Sequence, residues 1–330
     1  VISYLEAENQ YLEGWFASKN DCRQDIYDEL VSFIPPHEVS MKIKYGDYLY
    51  FSEISADQQY KTYYRELDGN KELVLDVNEL AKDLDYFNVA SINPSSDNLL
   101  VAYAEDLSGR REYNIKVKDL TSGKIIDSAI QRSSGSVVWD KQNTSIYYAQ
   151  KDPVTLIENK VFKHKLGTDP SEDVLIYEEQ DSEFHLNIYE SRTKKYLNIY
   201  ISKTEASETW MLDLEDETSK PFCILTRSDK HLYSVEDTPE CFYAISDAND
   251  KKNFEFMKFN HEDINNYANW ETVIEHNKAL LIEDFEAFPD YIYLEVREDG
   301  LPKILKMHRE TLDKHYICLL YTSDAADDVR

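Results

Sequence analysis

The sequence predicts an all-β chain of propeller type, about six blades long and preceded by two α-helices. Three observations carry this. The apolar spacing is helical only over residues 1–38 and alternates from Val39 onward. The alternating part returns to one three-part unit every ~45 to 50 residues, close to what a four-stranded blade needs. Aromatic residues make up 13 % of the 330-residue chain, with 25 Tyr against 13 Phe, and such side chains favour pleated, half-buried surfaces over helix interiors.

In the first helix, "VISYLEAENQYLEGWF", Leu5, Leu12 and Phe16 share one face with Tyr4, Tyr11 and Trp15 beside them. The second takes Asn20 or Asp21 as its cap, carries Ile26, Leu30 and Phe33 as its apolar stripe, and stops at Pro35-Pro36. Each later unit begins with a polar turn into a tyrosine-rich strand, as in "DNLLVAYAED" at Asp97, "TSIYYAQKD" at Thr144, "KKYLNIYIS" at Lys194, "ECFYAISD" at Glu240 and "DYIYLEV" at Asp290. A loop of variable length follows, then a second alternating strand such as "KVFKHKLGT" at Lys160 or "FEFMKFN" at Phe254. "YLYFSEI" with "KTYYRELDG" is a fainter earlier copy. Tyr147 to Thr168 is thus the middle of one blade, with an excursion between its strands at Pro153.

The composition bounds function. A hydrophobic content of 42 % with 8 Gly and 9 Pro describes a folded chain. A formal net charge of -28 would repel phosphate backbones and anionic lipid, so neither nucleic acid nor membrane is an expected partner; it would draw in basic peptides, although solubility alone accounts for such acidity in many proteins. Cys22, Cys223, Cys241 and Cys318 are far apart and show no C-x-x-C spacing, which points to a reducing, cytoplasmic setting.

With the repeats laid out, particular words become recognisable. "YLEAENQY", "LVLDVNELA" at Leu73, "AEDLSGRREYNIKVKDLTSG" at Ala104, "DPVTLIENKVFKHKLGTDPSEDVLIYEEQD" at Asp152 and "KNFEFMKF" at Lys252 follow one another in an order that resembles the oligopeptidase B group of the prolyl oligopeptidase family of serine peptidases. The likeness runs from Val1 to about Lys314. It implies a helical segment leading into a seven-bladed propeller that caps an α/β-hydrolase domain carrying Ser, Asp and His. Hydrolysis of short peptides after Lys or Arg, with the propeller as a filter on access, is implied with it.

The sequence departs from the family where the chemistry lies. A nucleophile elbow needs small residues around its serine, as in G-x-S-x-G, and "SSGS" at Ser133 does not fit. No catalytic residue can therefore be assigned, and the expected partner is a C-terminal hydrolase domain outside these residues. The expected organisation is a helical segment over 1–38 and a propeller over 39–317, incomplete before its last blade. Residues 318–330, "CLLYTSDAADDVR", read as a translated sequencing adaptor. A free-standing, non-enzymatic propeller that binds a peptide or protein is the alternative.

Among candidate site residues, Arg110-Arg111 matches a basic doublet of the family and is the candidate contact to the hydrolase domain, the alternative being a solvated turn with weak exposed pairs. No metal or other cofactor is expected, because the His are scattered. His164 alternates with Phe162 and Leu166 and reads as a packed, hydrogen-bonded histidine; His185 and His231 stand alone as well. Glu178, Glu179, Asp181 and Glu183 read as a solvated acidic loop, as do Asp213, Glu215, Asp216 and Glu217. "NTS" at Asn143 fits a glycosylation sequon, which matters only in a secreted setting.

Overall fold

A computed structural model describes residues 1–318; of the suspected adaptor stretch, everything after Cys318 lies outside the described residues. Val1–Asp83 form one compact unit and the chain from Leu84 onward a second, and each is described by itself.

In the first unit, α1 (Ile2–Phe16) and α2 (Asn20–Ser32) are joined by a single 3-10 turn, Ala17–Lys19. The expected cap of the second helix is corrected here. Lys19 is the N-cap, without a side-chain bond, and Asn20 is already helical. The backbone stays right-handed helical at Phe16, Ala17 and Asn20, so the preceding turn leaves little for a polar cap to satisfy. Three residues after Ser32, Pro35 and then Pro36 bar any return to helix. Within both helices only Phe16 is not exposed, and the apolar faces lie bare, Leu30 at 61 % and Phe33 just past α2 at 72 %.

The rest of this unit is a sheet of β1 (His37–Val39), β2 (Ile43–Tyr45), β3 (Tyr48–Ser55), β4 (Thr62–Leu67) and β5 (Asn70–Asp76), followed by the short α3 (Val77–Leu80), which Asp76 caps. β1 and β2 share one edge of β3. The sheet is thus a four-strand meander whose first strand is broken at residues 40–42.

The second unit repeats that meander five times. The sheets are β6 (Asn88–Pro94), β7 (Leu100–Asp106), β8 (Asn114–Asp119) and β9 (Ile125–Asp127); β10 (Ser133–Trp139), β11 (Ser145–Lys151), β12 (Glu158–Lys165) and β13 (Val174–Glu178); and β14 (His185–Glu190), β15 (Tyr196–Lys203), β16 (Ala206–Asp213) and β17 (Phe222–Leu225). They continue with β18 (Tyr233–Asp237), β19 (Phe242–Ser246), β20 (Glu255–Phe259) and β21 (Glu271–Ile274), and end with β22 (Leu280–Ala287), β23 (Tyr291–Glu298), β24 (Leu301–His308) and β25 (Lys314–Ile317). Each tyrosine-rich segment sits second in its own sheet, and none pairs with another such segment among the described residues. These are propeller blades.

A shared turn explains the recurrence. Ser95, Asp140 and Ser191 each accept a side-chain hydrogen bond from the backbone N–H five residues on, at Leu100, Ser145 and Tyr196. The fourth residue of each turn is left-handed: Asn98, Asn143 and Lys194 have φ of 60, 56 and 62°. Asn tolerates that conformation because its short amide can bond locally. Asn143, the sequon residue, also accepts from the N–H of Ser96 at 3.1 Å, tying neighbouring turns together. A second repeated feature is a register shift between third and fourth strands, seen in five of the six sheets. Such shifts add local twist.

The core lies between consecutive sheets. One cluster joins Val138, Tyr147 and Val161 to Leu186, Ile199 and Leu212; another joins Met211 and Ile224 to Val235, Phe242 and Met257. The first strands meet one another: the hydroxyl of Ser91 donates to the carbonyl of Gly135 at 2.5 Å, that of Ser136 to Asn187 Oδ1 at 3.0 Å, and the N–H of Ala287 to Glu236 Oε2 at 2.6 Å. β6, β10, β14, β18 and β22 are therefore the inner strands.

Candidate functional site

Alternation along the inner strands decides what faces the space they enclose. In β14, Leu186 and Ile188 are buried while His185, Asn187 and Tyr189 are exposed; in β18, Tyr233, Val235 and Asp237 are buried and Ser234 and Glu236 half-buried. Where β14 ends and turns at 191–195, a cavity of about 360 Å³ opens. Glu190, Arg192, Lys194, Asn198, Glu236 and Asp237 supply its polar lining.

Its electrostatics are uneven. Burial pushes the Glu236 carboxyl up to about 7, helped by Glu286 and Asp284 and opposed by the Ala287 N–H and Arg192. Burial also raises Glu190, against Lys194 and Lys141, and lowers Lys194. Tyr189, 38 % exposed, is nevertheless held above the usual phenol range by burial and by Tyr200, Glu236 and Asp284. The Arg192 guanidinium lies 2.9 Å from Glu286, 3.9 Å from Glu236 and 4.5 Å from the Phe288 ring.

Arg110 and Arg111 lie on the β7–β8 connection, at the opposite end of the meander from the first turn. The carboxylate of buried Asp106 builds this loop, accepting from the N–H groups of Ser108, Gly109 and Arg111 at 2.8, 3.1 and 2.8 Å. Burial would raise that carboxyl, but these bonds together hold it below the usual range. Arg110 is 3.7 Å from Glu112, with its side chain 66 % exposed. The carbonyl of Arg111 accepts from Lys151 at 2.8 Å, which leaves both basic side chains pointing outward from a fixed backbone.

The remaining candidates sort differently. His164 is fully buried between Asp173 at 2.7 Å and Asp127 at 3.1 Å, and the hydroxyl of Tyr148 donates to Asp173 at 2.8 Å. His185 is exposed, and His231 is buried with Nε2 2.9 Å from Ser246. Ser133 is fully buried and donates to the carbonyl of Tyr113 at 3.0 Å, so it is held away from any substrate. Glu178, Asp181 and Glu183 are exposed, whereas Glu179 corrects the reading of that run as a solvated loop. It is buried, 2.7 Å from Arg227, which also faces Glu208 at 3.7 Å. Glu215, Asp216 and Glu217 are exposed, and Asp213 lies 3.6 Å from Lys195.

Among the described residues no group of three or more His, Cys, Asp or Glu is placed to hold a metal ion, and no helix is long and apolar enough to cross a membrane. All four cysteines are free thiols. The sequence reading missed the inner-strand cavity. Its signal was the polar residue at alternate positions of β14 and β18.

Comparison with known proteins places these observations. A family described as "Prolyl oligopeptidase, N-terminal beta-propeller domain" matches residues 1–325. Protease 2 of Moraxella lacunata is 29 % identical over 318 residues, covering 93 % of this chain and 45 % of that protein. Dipeptidyl aminopeptidase BI of Pseudoxanthomonas mexicana is 27 % identical over 323 residues, covering 92 % and 44 %. The chain thus spans under half the length of these curated relatives. Among solved structures, oligopeptidase B from Leishmania major superposes with a TM-score of 0.90 at 24 % identity, covering 97 % of this chain and 47 % of that one. Oligopeptidase B from Trypanosoma brucei, solved with covalently bound antipain, gives 0.88 at 24 %, covering 97 % and 47 %.

Proposed function

The chain belongs to the prolyl oligopeptidase family through its N-terminal β-propeller domain, and from that membership we propose that it is the substrate-admitting part of a serine oligopeptidase whose catalytic residues lie outside these 330 residues. The observation that carries the reading is the match over residues 1–325 by a chain spanning 44 % and 45 % of its two curated relatives. In the whole enzyme a serine attacks the scissile carbonyl, a histidine takes its proton, and an acidic side chain orients that histidine. The part played by this chain is selection. Its inner strands admit extended peptides and exclude folded proteins, and the net charge of -28 concentrates cationic ones.

The substrate class is short peptides cleaved after Lys or Arg, and the setting is the cytoplasm. Arg110 and Arg111 are the docking pair for the hydrolase domain. Their fixed backbone and outward charges suit carboxylates on a partner surface.

Sequencing the source gene beyond Ile317 tests the reading. An α/β-hydrolase reading frame with a G-x-S-x-G elbow is the expected result. A stop codon there would leave a free-standing binding propeller instead.

A further inference from the structure

Two acceptor oxygens at the inner-strand cavity have no donor. Asp237 Oδ1 and Asn198 Oδ1 are buried without a hydrogen-bond partner among the described residues, and both residues are 2 % exposed and line the cavity. Stranding a buried acceptor, above all a carboxylate oxygen, carries a desolvation penalty that a native structure offsets with an ordered water or another bound donor.

The neighbouring cations are already engaged. Arg192 is held by Glu286 at 2.9 Å and by the Phe288 ring, and Lys194 faces Glu190. Asp237 Oδ2 accepts from the Thr193 hydroxyl, which leaves Oδ1 as an acceptor without a donor among the described residues. Glu236 adds a second carboxylate to the same wall. An anion finds only acceptors among the stranded atoms. A group with several N–H donors and positive charge fits them.

We propose that this cavity is a subsite for an organic cation, an ammonium or guanidinium group, which donates to Asp237 Oδ1 and Asn198 Oδ1 and is balanced by Glu236. The site rests on the cavity alone and stands whether or not the hydrolytic reading does.

A pH dependence follows. Glu236 is faced by Arg192 from the 191–195 turn, by Asp284, Glu286 and the Ala287 N–H from β22, and by Tyr189 from β14; Glu190, Lys194 and Lys141 lie beside that set. A bound cation favours ionised Glu236, so affinity rises between pH 6 and pH 8.

The test is calorimetric titration of the 330-residue chain with agmatine, with an acetylated arginine peptide amide, and with the same peptide carrying neutral citrulline. Agmatine is expected to bind at least tenfold tighter than the citrulline peptide, and Asp237→Asn to weaken it at least tenfold. If the arginine peptide binds as agmatine does, the cation comes from a peptide side chain; if agmatine alone binds, it is a free amine. Should Asp237→Asn fail to fold, Glu236→Gln serves instead, and it is expected to flatten the pH dependence. Equal binding of arginine and citrulline peptides, no agmatine binding at millimolar concentration, or binding that survives both substitutions would overturn the proposal.

Discussion

Replacing His164 with Leu should be among the costliest single changes in the chain. The imidazole is fully buried and links β12 to Asp127 at the end of β9 and to Asp173 just before β13, so it clamps two successive sheets together. Leucine fills much of the volume but leaves both carboxylates facing an apolar group. Asp127 retains the N–H groups of Ala129 at 3.0 Å and Gly167 at 2.6 Å, and Asp173 retains the Tyr148 hydroxyl. The loss is therefore the charge pairing and two charge-assisted bonds, together about 3 to 5 kcal/mol.

The pH profile makes the argument specific. Burial lowers the affinity of His164 for its proton, but the bonds to Asp127 and Asp173 outweigh it and raise the pKa above 6.5. A raised histidine stabilises fully below its unfolded value of about 6.5 and loses that contribution as pH climbs through the folded value. Asp127 is shifted the other way: burial raises it, yet His164 and the backbone N–H groups lower it below 3.8 on balance. Its contribution is present above an unfolded value of about 3.9 and disappears as pH falls through the folded one. The gap between wild type and His164→Leu in urea midpoints should be widest between about pH 4.5 and 6.5 and narrower at pH 9. A gap under about 1 kcal/mol, or one that does not vary with pH, would refute the clamp.

Other expectations follow from single contacts. Arg227→Ala removes the cation shared by Glu179 and Glu208, both buried, which keep only neutral donors such as the Asp181 N–H and Trp210 Nε1, and should cost about 3 kcal/mol by denaturant unfolding. Gly135→Ala should destabilise by more than about 1 kcal/mol, because φ is +94° and a Cβ would sit 3.0 Å from both Ala90 and Tyr113. Lys194→Gly should stabilise by roughly 0.5 to 1 kcal/mol, since a lysine holds the left-handed turn position that Asn98 and Asn143 fill elsewhere. Ile199→Ala, at a fully buried site between two sheets, should lower stability by about 2 to 5 kcal/mol.

The blades were legible because each needs the same local chemistry. A polar turn and a tyrosine-rich strand recur at visible spacing, and His164 showed its packing through alternation with Phe162 and Leu166. What stayed hidden depends on residues distant in sequence. Glu179 looked solvated within a run of acids, and only folding brings it to Arg227, 48 positions away. The cap of α2 was misplaced because the helical path runs on from α1 through Ala17–Lys19. The inner-strand cavity draws Glu190, Asn198 and Glu236 from two sheets, and no local pattern marks their meeting.

The hydrolysis of an arginyl amide, followed for the 330-residue chain beside the full product of the source gene, tests the central claim most directly. The chain should give no turnover above buffer, and the longer product should cleave the amide with a serine that, when replaced by alanine, ends the activity. Turnover by the chain alone, or none by the longer product, would contradict the assignment of gating to these strands and of chemistry to residues beyond them.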